Sequence, residues 1–222
     1  LSRTYDGSPK AATVTTAPTG LAVAVTYNGS YVAPSNAGNY AVVATVVEAG
    51  YSGAASGTLA IAKASAGVTL TNLSQTYDGT ARSAAAICVP AVSCGLSYAG
   101  LPSAPTNAGS YTVVAAVTDA NYQGGATGTL VVAKAAADVA FDSLTAAYDG
   151  TGRAATASTA PEGLAVNLTY DGSAALPVAV GTYEVIAAVV DANYQGGATD
   201  VFTIAKGSAA VTLTGLAQTY DG

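Results

Sequence analysis

Side chains that could catalyse a reaction are scarce in this sequence. It has 222 residues and no histidine, with 13 Asp and Glu side chains and 7 Lys and Arg side chains. The absence of histidine removes the common acid–base and triad schemes. Two carboxylates could still form a glycosidase pair, but we expect every acidic residue to lie in a loop. We therefore predict that the chain is not an enzyme and uses no cofactor.

The only two cysteines, Cys88 and Cys94, lie close together in the chain and flank Val89-Pro90-Ala91-Val92-Ser93. Two strands are expected to turn toward each other here, so the spacing predicts a disulfide across a hairpin tip, as is typical of secreted proteins. A metal pair or a redox pair is the alternative. A zinc site would need further ligands, which a chain without histidine does not supply, and we predict no metal site.

Oxygen-bearing side chains recur in the hexapeptide Asp-Ala-Asn-Tyr-Gln-Gly, as Asp119 with Asn121 and as Asp191 with Asn193. They could contribute ligands to a Ca²⁺ ion at a domain junction. Calcium takes six or more oxygens, and the sequence contains no Asp-x-Asp-x-Asp-Gly loop. A turn closed by Asx hydrogen bonds is therefore the preferred interpretation.

Basic residues also recur at fixed places. One set ends the last strand of each repeat and consists of Lys63, Lys134 and Lys206. An isopeptide bond to Asn would require a lysine in the core, so we expect a solvated lysine or a surface ion pair. A second set follows an aspartate at four residues and consists of Lys10, Arg82 and Arg153. A weak ion pair across a turn is expected there.

Apart from the two cysteines, which occur in repeat 2 alone, these positions follow one period. Tyr-Asp-Gly begins at Tyr5, Tyr77, Tyr148 and Tyr220, at spacings of 72, 71 and 72 residues, which indicates a tandem array. The predicted domains are residues 1–63, 64–134 and 135–206, with 207–222 as the first strand of a fourth repeat. The first repeat lacks that strand, and we interpret the chain as part of a longer polypeptide.

Short alternating segments separated by turn residues predict β-strands at regular 8–12-residue spacing. No segment has a helical period with a capping signal. We predict an all-β fold, a tandem array of small Ig-like β-sandwich domains, with a β-grasp-like unit as the alternative. Structural turns are predicted at Tyr77-Asp78-Gly79 and Tyr148-Asp149-Gly150, because Gly accepts a positive φ and Asp can bond its own backbone. The Ala/Ser/Gly stretch after each repeat-ending lysine is expected to be a short hinge.

The pattern Gly-x-Tyr-x-Val marks the clearest strand of each repeat. It resembles the tyrosine corner of immunoglobulin-like domains, in which a tyrosine bonds back to the preceding loop. The predicted corner residues are Tyr40, Tyr111 and Tyr183. The core tryptophan of antibody domains is absent, so the likeness is one of architecture.

The low charge of the chain argues against nucleic acid as a partner. Only 9% of residues are charged and the net charge is −6, whereas nucleic-acid binding needs clustered Lys and Arg. No run of 18 apolar residues occurs, so we predict no membrane span. Three matches to the N-glycosylation sequon, at Asn28, Asn72 and Asn167, are interpreted as chance, since only specialised systems modify them. Glycans stay among the expected partners.

Four motifs follow one another in a fixed order in the repeats, with substitutions from one repeat to the next: Tyr-Asp-Gly-Thr, Asn-Ala-Gly-Ser-Tyr-Thr-Val, Asp-Ala-Asn-Tyr-Gln-Gly and Thr-Leu-x-Ile-Ala-Lys. In this order they resemble the tandem YDG/MBG-type repeats of large bacterial surface or secreted adhesins. The resemblance covers nearly the whole chain. It implies an extracellular fibre, stalk or filament with no catalysis, and neighbouring copies of the repeat as partners, side by side or end to end.

The alternative function is a module that binds carbohydrate or host protein through its loops. An exposed aromatic cluster would favour it, and the candidates are Tyr31, Tyr51, Tyr122 and Tyr194. These tyrosines could equally cap the ends of the sandwiches.

Residues 207–222 match the strand that repeat 1 lacks, which suggests donor-strand exchange between chains. The segment 216–222, however, duplicates the pattern Leu-x-x-Thr-Tyr-Asp-Gly of residues 1–7. Two copies of that pattern cannot occupy one groove, so a continuous longer chain is the preferred interpretation.

Overall fold

The computed structural model describes residues 2–215, 217, 219 and 220. All the regular secondary structure among these described residues is β-strand. The predicted fold class, an all-β tandem array of small β-sandwich domains, is therefore confirmed. The segment predicted as the first strand of a fourth repeat lies partly outside the described residues, as do Asp221 and Gly222 of the last Tyr-Asp-Gly. Residues 206–215 form no strand.

The described chain divides into two units. The first comprises residues 1–75 and 79–132, and the second comprises residues 76–78 and 133–222. The strands that begin in the first unit are β1 Ser2–Thr4, β2 Val23–Tyr27, β3 Gly38–Val46, β4 Ala54–Ala62, β5 Ala64–Ser65, β6 Gly67–Thr71, β7 Ser74–Thr76, β8 Ala85–Val89, β9 Cys94–Tyr98, β10 Gly109–Val117, β11 Tyr122–Gln123 and β12 Gly125–Ala133. Those of the second unit are β13 Ala135–Ala136, β14 Asp138–Ser143, β15 Thr145–Ala147, β16 Thr156–Ala160, β17 Val166–Tyr170, β18 Gly181–Val189, β19 Tyr194–Gln195 and β20 Gly197–Ala205.

Each repeat contains the same four-stranded sheet. The strand orders are β1-β4-β3-β2, β7-β12-β10-β9 and β15-β20-β18-β17. The short edge strand runs parallel to the last strand of the repeat, as β1 does to β4 and β15 to β20. Repeats 2 and 3 add a second, antiparallel sheet, formed by β6 with β8 and by β14 with β16. In repeat 1 the corresponding residues 12–17 form no strand.

Alternate residues of the long strands form the core of each repeat. In β10, Val113 and Ala115 are fully buried, whereas Val114 between them is 40% exposed. This pattern follows from the two-residue period of a strand. In repeat 3 the ring of Phe202 is fully buried and meets Tyr170 edge-on, with ring centroids 5.6 Å apart.

Several predicted elements differ from the observed ones. In repeat 2 the sequence pattern predicts a second strand from about Ala81 and a last strand from Gly128, whereas the observed strands begin at Ala85 and Gly125. The edge strand β7 was not predicted, because three polar residues show no periodicity. The stretches predicted as hinges are the short strands β5 and β13, which pair with β11 and β19. These stretches are strands rather than hinges because their backbone is hydrogen-bonded to the loop of the repeat that follows.

Candidate functional site

The Asp-Ala-Asn-Tyr-Gln-Gly loop folds around its own aspartate. Asp119 Oδ1 accepts hydrogen bonds from the backbone N–H of Asn121 at 2.7 Å and of Tyr122 at 3.1 Å. Asp191 makes the same pair of bonds to Asn193 and Tyr194, at 2.7 and 2.9 Å. These are Asx-type turns, in which one carboxylate oxygen holds the loop closed. The oxygen that was a candidate calcium ligand therefore serves the loop itself.

Within the first unit this loop of repeat 2 lies against repeat 1. We call the contact the first junction, formed by Tyr5, residues 36–37, residues 63–66 and residues 119–124. Asn121 lies at its centre. Its Oδ1 accepts a hydrogen bond from the backbone N–H of Ala37 at 2.9 Å, and its carbonyl accepts one from Ala64 at 2.9 Å. One side chain thereby fixes the Asn-Ala-Gly turn of repeat 1 to the loop of repeat 2.

The tyrosine of Tyr-Asp-Gly contributes an aromatic contact. Tyr5 meets Tyr122 edge-on in the first unit, with ring centroids 5.4 Å apart and ring planes at 78°. Tyr77 and Tyr194 repeat this arrangement in the second unit, at 5.3 Å and 80°. An edge-to-face pair of this kind contributes roughly 0.5–1.5 kcal/mol beyond its buried area.

The predicted aromatic candidates therefore fall into two groups. Tyr122 and Tyr194 are half-buried and each meets another tyrosine ring edge-on, whereas Tyr31 is 75% exposed and Tyr51 is 52% exposed.

Two of the three repeat-ending lysines, Lys63 and Lys134, bind backbone carbonyls. Lys63 Nζ donates to the carbonyl of Asp119 at 2.9 Å, and Lys134 Nζ donates to the carbonyl of Asp191 at 2.6 Å. The first bond lies in the first junction and links the last strand of repeat 1 to the loop of repeat 2. All three repeat-ending lysines are exposed, in keeping with the expected solvated lysine, and Lys63 and Lys134 each add a hydrogen bond to a specific carbonyl.

The backbone of the first junction passes very close to itself at Gly124. Strand β5 runs parallel to β11, and the N–H of Ala66 donates to the carbonyl of Gln123 at 2.8 Å. A Cβ at Gly124 would overlap the carbonyl oxygen of Ala66. Gly53 holds the same position in repeat 1, and there a Cβ would meet only the Val46 side chain at 3.6 Å. Gly124 is therefore required by the approach of the preceding chain.

The Tyr-Asp-Gly turns have the predicted backbone geometry. Gly79 and Gly150 have φ of 83° and 84°, which favours glycine. Asp149 Oδ1 accepts bonds from the N–H and hydroxyl of Thr151, at 3.0 and 2.7 Å, and Oδ2 pairs with Arg153 at 2.7 Å. The bonds from Thr151, followed by the charge of Arg153, hold the pKa of Asp149 below its ordinary value.

The first Tyr-Asp-Gly turn is built in the same way. Asp6 is bonded by the ammonium of Lys10 and by the hydroxyl and N–H of Ser8. The bond from Lys10, followed by those from Ser8, holds the pKa of Asp6 well below its usual range.

The predicted corner tyrosines each bond to a carbonyl four residues upstream. The hydroxyl of Tyr40 donates to Asn36 at 3.0 Å, that of Tyr111 to Asn107 at 2.9 Å and that of Tyr183 to Ala179 at 2.8 Å. In repeat 1 this bond steadies the turn that also receives Asn121.

The predicted disulfide joins Cys88 to Cys94 and connects the ends of β8 and β9. Four acidic residues were expected in loops but lie in strands, namely Asp138, Asp142, Glu184 and Asp200. Over the described residues, no group of three or more His, Cys, Asp or Glu is arranged to hold a metal ion. No helix in that part of the chain is long and apolar enough to cross a membrane.

Sequence reasoning missed two kinds of residue. The first is the buried tyrosines that precede the Asn-Gly-type turns. Tyr27 and Tyr170 are 5% and 3% exposed, and their hydroxyls accept N–H bonds from Ala12 at 2.7 Å and Ala155 at 2.8 Å. The second is the pairing of Asn121 with the Asn-Ala-Gly turn. The sequence signal that could have indicated these residues is that their motifs recur at the period of the repeat.

Comparison with known proteins identifies the class. The MBG domain family matches residues 1–65, 66–136 and 137–208, and the chain therefore belongs to this family as a tandem array of three MBG domains. The predicted repeats end at Lys63, Lys134 and Lys206, and the matched domains each end two residues later. No curated protein sequence matches significantly.

Among solved structures, the chain is similar to the N-terminal four Ig domains of Dscam1 isoform 9.44. The identity is 14% and the TM-score is 0.30, and the match covers 80% of this chain and 57% of that one.

Proposed function

We propose that this chain is a structural repeat segment of an extracellular bacterial fibre, stalk or filament of the adhesin type, without catalytic activity. Its repeats hold neighbouring repeats in a fixed arrangement along the array. The observation that carries the proposal is the first junction. There the recurring motifs of the sequence, the tyrosine of Tyr-Asp-Gly and the Asp-Ala-Asn-Tyr-Gln-Gly loop, contact the neighbouring repeat.

Three further features support a structural role. The Asp119 carboxylate and the Lys63 ammonium, which could do chemistry, are bound to backbone groups. The linker between repeats 1 and 2 is paired as β5 with β11, so little free hinge remains. The Cys88–Cys94 disulfide is of the kind that persists in oxidising compartments outside the cytoplasm. Three MBG domains in succession are consistent with an extended extracellular array.

The experiment measures whether the first junction fixes repeats 1 and 2. Spin labels are attached at Tyr31 and Leu101, which are 75% and 62% exposed. The distance distribution between them is recorded for the parent chain and for Tyr122→Ala. The matched control is Tyr51→Ala, which changes the equivalent tyrosine of repeat 1.

We expect a narrow distribution in the parent and control, and a broad one in Tyr122→Ala, because the ring pair with Tyr5 is lost. A broad distribution in the parent itself would show that the repeats move independently and would overturn the proposal. Screening the unlabelled parent chain, with Tyr31 intact, against glycans and host-protein extracts tests the alternative function. Tight binding that is lost on changing the exposed Tyr31 would favour a binding module instead.

A further inference from the structure

An early strand and the last strand of repeat 3 lie side by side and run in the same direction. The strand β15 forms the edge of its sheet and is parallel to β20, with which the repeat ends. At one end of this pair the N–H of Thr203 donates to the carbonyl of Leu144 at 2.9 Å. At the other end the N–H of Tyr148 donates to the carbonyl of Ala205 at 2.8 Å. We call the pairing of β15 with β20 the clamp.

The bond that ends the clamp recurs in every repeat. The tyrosine N–H of the first three Tyr-Asp-Gly motifs donates to the carbonyl of the alanine before the repeat-ending lysine. These bonds join Tyr5 to Ala62 at 2.9 Å, Tyr77 to Ala133 at 2.9 Å and Tyr148 to Ala205 at 2.8 Å. Two motifs that recur at one period in the sequence are therefore bonded to each other at the end of the last strand.

The direction of the two strands decides how the clamp responds to tension along the chain. Tension pulls the start of β15 backwards and the end of β20 forwards. Because the strands are parallel neighbours, they are drawn past each other, and their hydrogen bonds are loaded together. The antiparallel pair of β18 with β20 differs, since Gly181 lies opposite Ile204. Pulling that pair apart from this end opens its bonds one after another.

The core of repeat 3 holds both strands of the clamp. Phe202 and Ile204 of β20 are fully buried, and Leu144 and Ala146 pack against the same core cluster. These side chains keep water from one face of the clamp, and a hydrogen bond shielded from water is electrostatically stronger than an exposed one. The strands therefore cannot slide past each other without drawing side chains out of the core.

Two other pairings precede the clamp along the chain. The short strand β13 is bonded to the loop of repeat 3, from the N–H of Ala135 to Asn193 at 2.8 Å and from that of Ala137 to Gln195 at 2.9 Å. The next strand, β14, pairs with β16. Tension that arrives along the chain from repeat 2 reaches these pairings first, and the clamp carries it once they have opened.

We propose that each repeat bears tension, and that the pairing of its edge strand with its last strand is the element that resists pulling along the chain. This goes beyond a fixed arrangement of neighbouring repeats, because it assigns the repeats a mechanical load. The inference rests on the proposed fibre or stalk only for its biological meaning.

The test holds the full chain at constant force and measures the time until repeat 3 opens. Attachment through Ser143→Cys and Lys206→Cys loads the clamp in shear, whereas attachment through Val180→Cys and Lys206→Cys peels β20 from β18. All three positions are exposed. At the same force the shear pair should last at least about tenfold longer, because several hydrogen bonds must break together. Equal lifetimes for the two attachment pairs overturn the inference.

Two adjacent alanines supply a matched pair of variants. Bonding residues alternate in a parallel ladder, so the bonds at Leu144 and Tyr148 direct the N–H of Ala146 toward β20 and that of Ala147 away from it. Ala146→Pro removes a donor of the clamp and should shorten the lifetime under shear roughly 5- to 150-fold. Ala147→Pro is the control and should leave it unchanged, because proline is accepted where the N–H of an edge strand faces solvent.

The peeling attachment controls for a general loss of stability. Ala146→Pro should shorten the lifetime under shear by a larger factor than the lifetime under peeling, which does not load β15. Equal shortening through both attachment pairs, or no shortening under shear, contradicts the role of the clamp. If Ala146→Pro prevents folding, the comparison of attachment pairs in the unchanged clamp still decides. None of these results alters the spin-label distances across the first junction, so the two proposals can fail separately.

Discussion

Replacing Gly124 by alanine should open the first junction without unfolding the repeats. A Cβ at this position overlaps the carbonyl oxygen of Ala66, so the strand β5 must move away from β11. The bonds at risk are those from the N–H groups of Ala64 and Ala66 to Asn121 and Gln123, at 2.9 and 2.8 Å. Each backbone hydrogen bond contributes about 0.5–1.5 kcal/mol net, so the local cost is about 1–3 kcal/mol.

The assay is amide hydrogen exchange followed by NMR. A loss of about 1–3 kcal/mol in the free energy of local opening accelerates exchange of the Ala64 and Ala66 amides roughly 5- to 150-fold. Amides in the centre of β10, such as that of Val113, should keep the exchange rates of the parent chain, because the core of repeat 2 is untouched.

The matched control is Gly53→Ala. This glycine holds the equivalent position in repeat 1, where a Cβ would make only an ordinary contact of 3.6 Å with Val46. We expect no loss of stability, or a gain of up to about 1 kcal/mol because alanine restricts the unfolded chain. Unchanged exchange at Ala64 and Ala66 in Gly124→Ala, or equal damage from Gly53→Ala, would refute the role assigned to this close approach.

Two further predictions concern single repeats. Replacing both Cys88 and Cys94 by serine should lower the free energy of unfolding of repeat 2 by about 2 kcal/mol, because so short a closed loop restricts the unfolded chain only modestly. Denaturant unfolding with a probe in each repeat should find the stability of repeat 1 unchanged. An equal loss of stability in repeats 1 and 2 would contradict a local role of the disulfide. In Lys10→Ala the pKa of Asp6 should rise toward its ordinary value, since the Lys10 bond is the largest cause of its depression. Because the carboxyl pKa of Asp6 is lower in the folded than in the unfolded chain, the ionised Asp6 stabilises the folded turn above the unfolded pKa, and this stabilisation is lost as pH falls through the folded pKa. The stability of this turn should therefore depend less on pH in Lys10→Ala than in the parent chain. If an NMR titration finds the pKa of Asp6 unchanged in the variant, Ser8 alone sets it.

The periodicity of the sequence determined the class of fold and the repeat. Strand and turn signals are local, since alternation and a glycine with positive φ depend on a few neighbouring residues. For this reason the long strand Gly109–Val117, the turn glycines Gly79 and Gly150 and the pairing of Cys88 with Cys94 could all be read from the chain.

The contacts between repeats were decided only by the tertiary structure. Tyr5 and Tyr122 are separated by more than one full repeat, and nothing local indicates that their rings meet. The same holds for the bond from the Ala37 N–H to Asn121 and for the pairing of β5 with β11. The recurring loop forms a junction because segments far apart in the sequence pack together, which local preferences of the chain do not determine. The same packing gives Tyr-Asp-Gly two roles: it forms a turn in its own repeat, and its tyrosine ring contacts the neighbouring repeat.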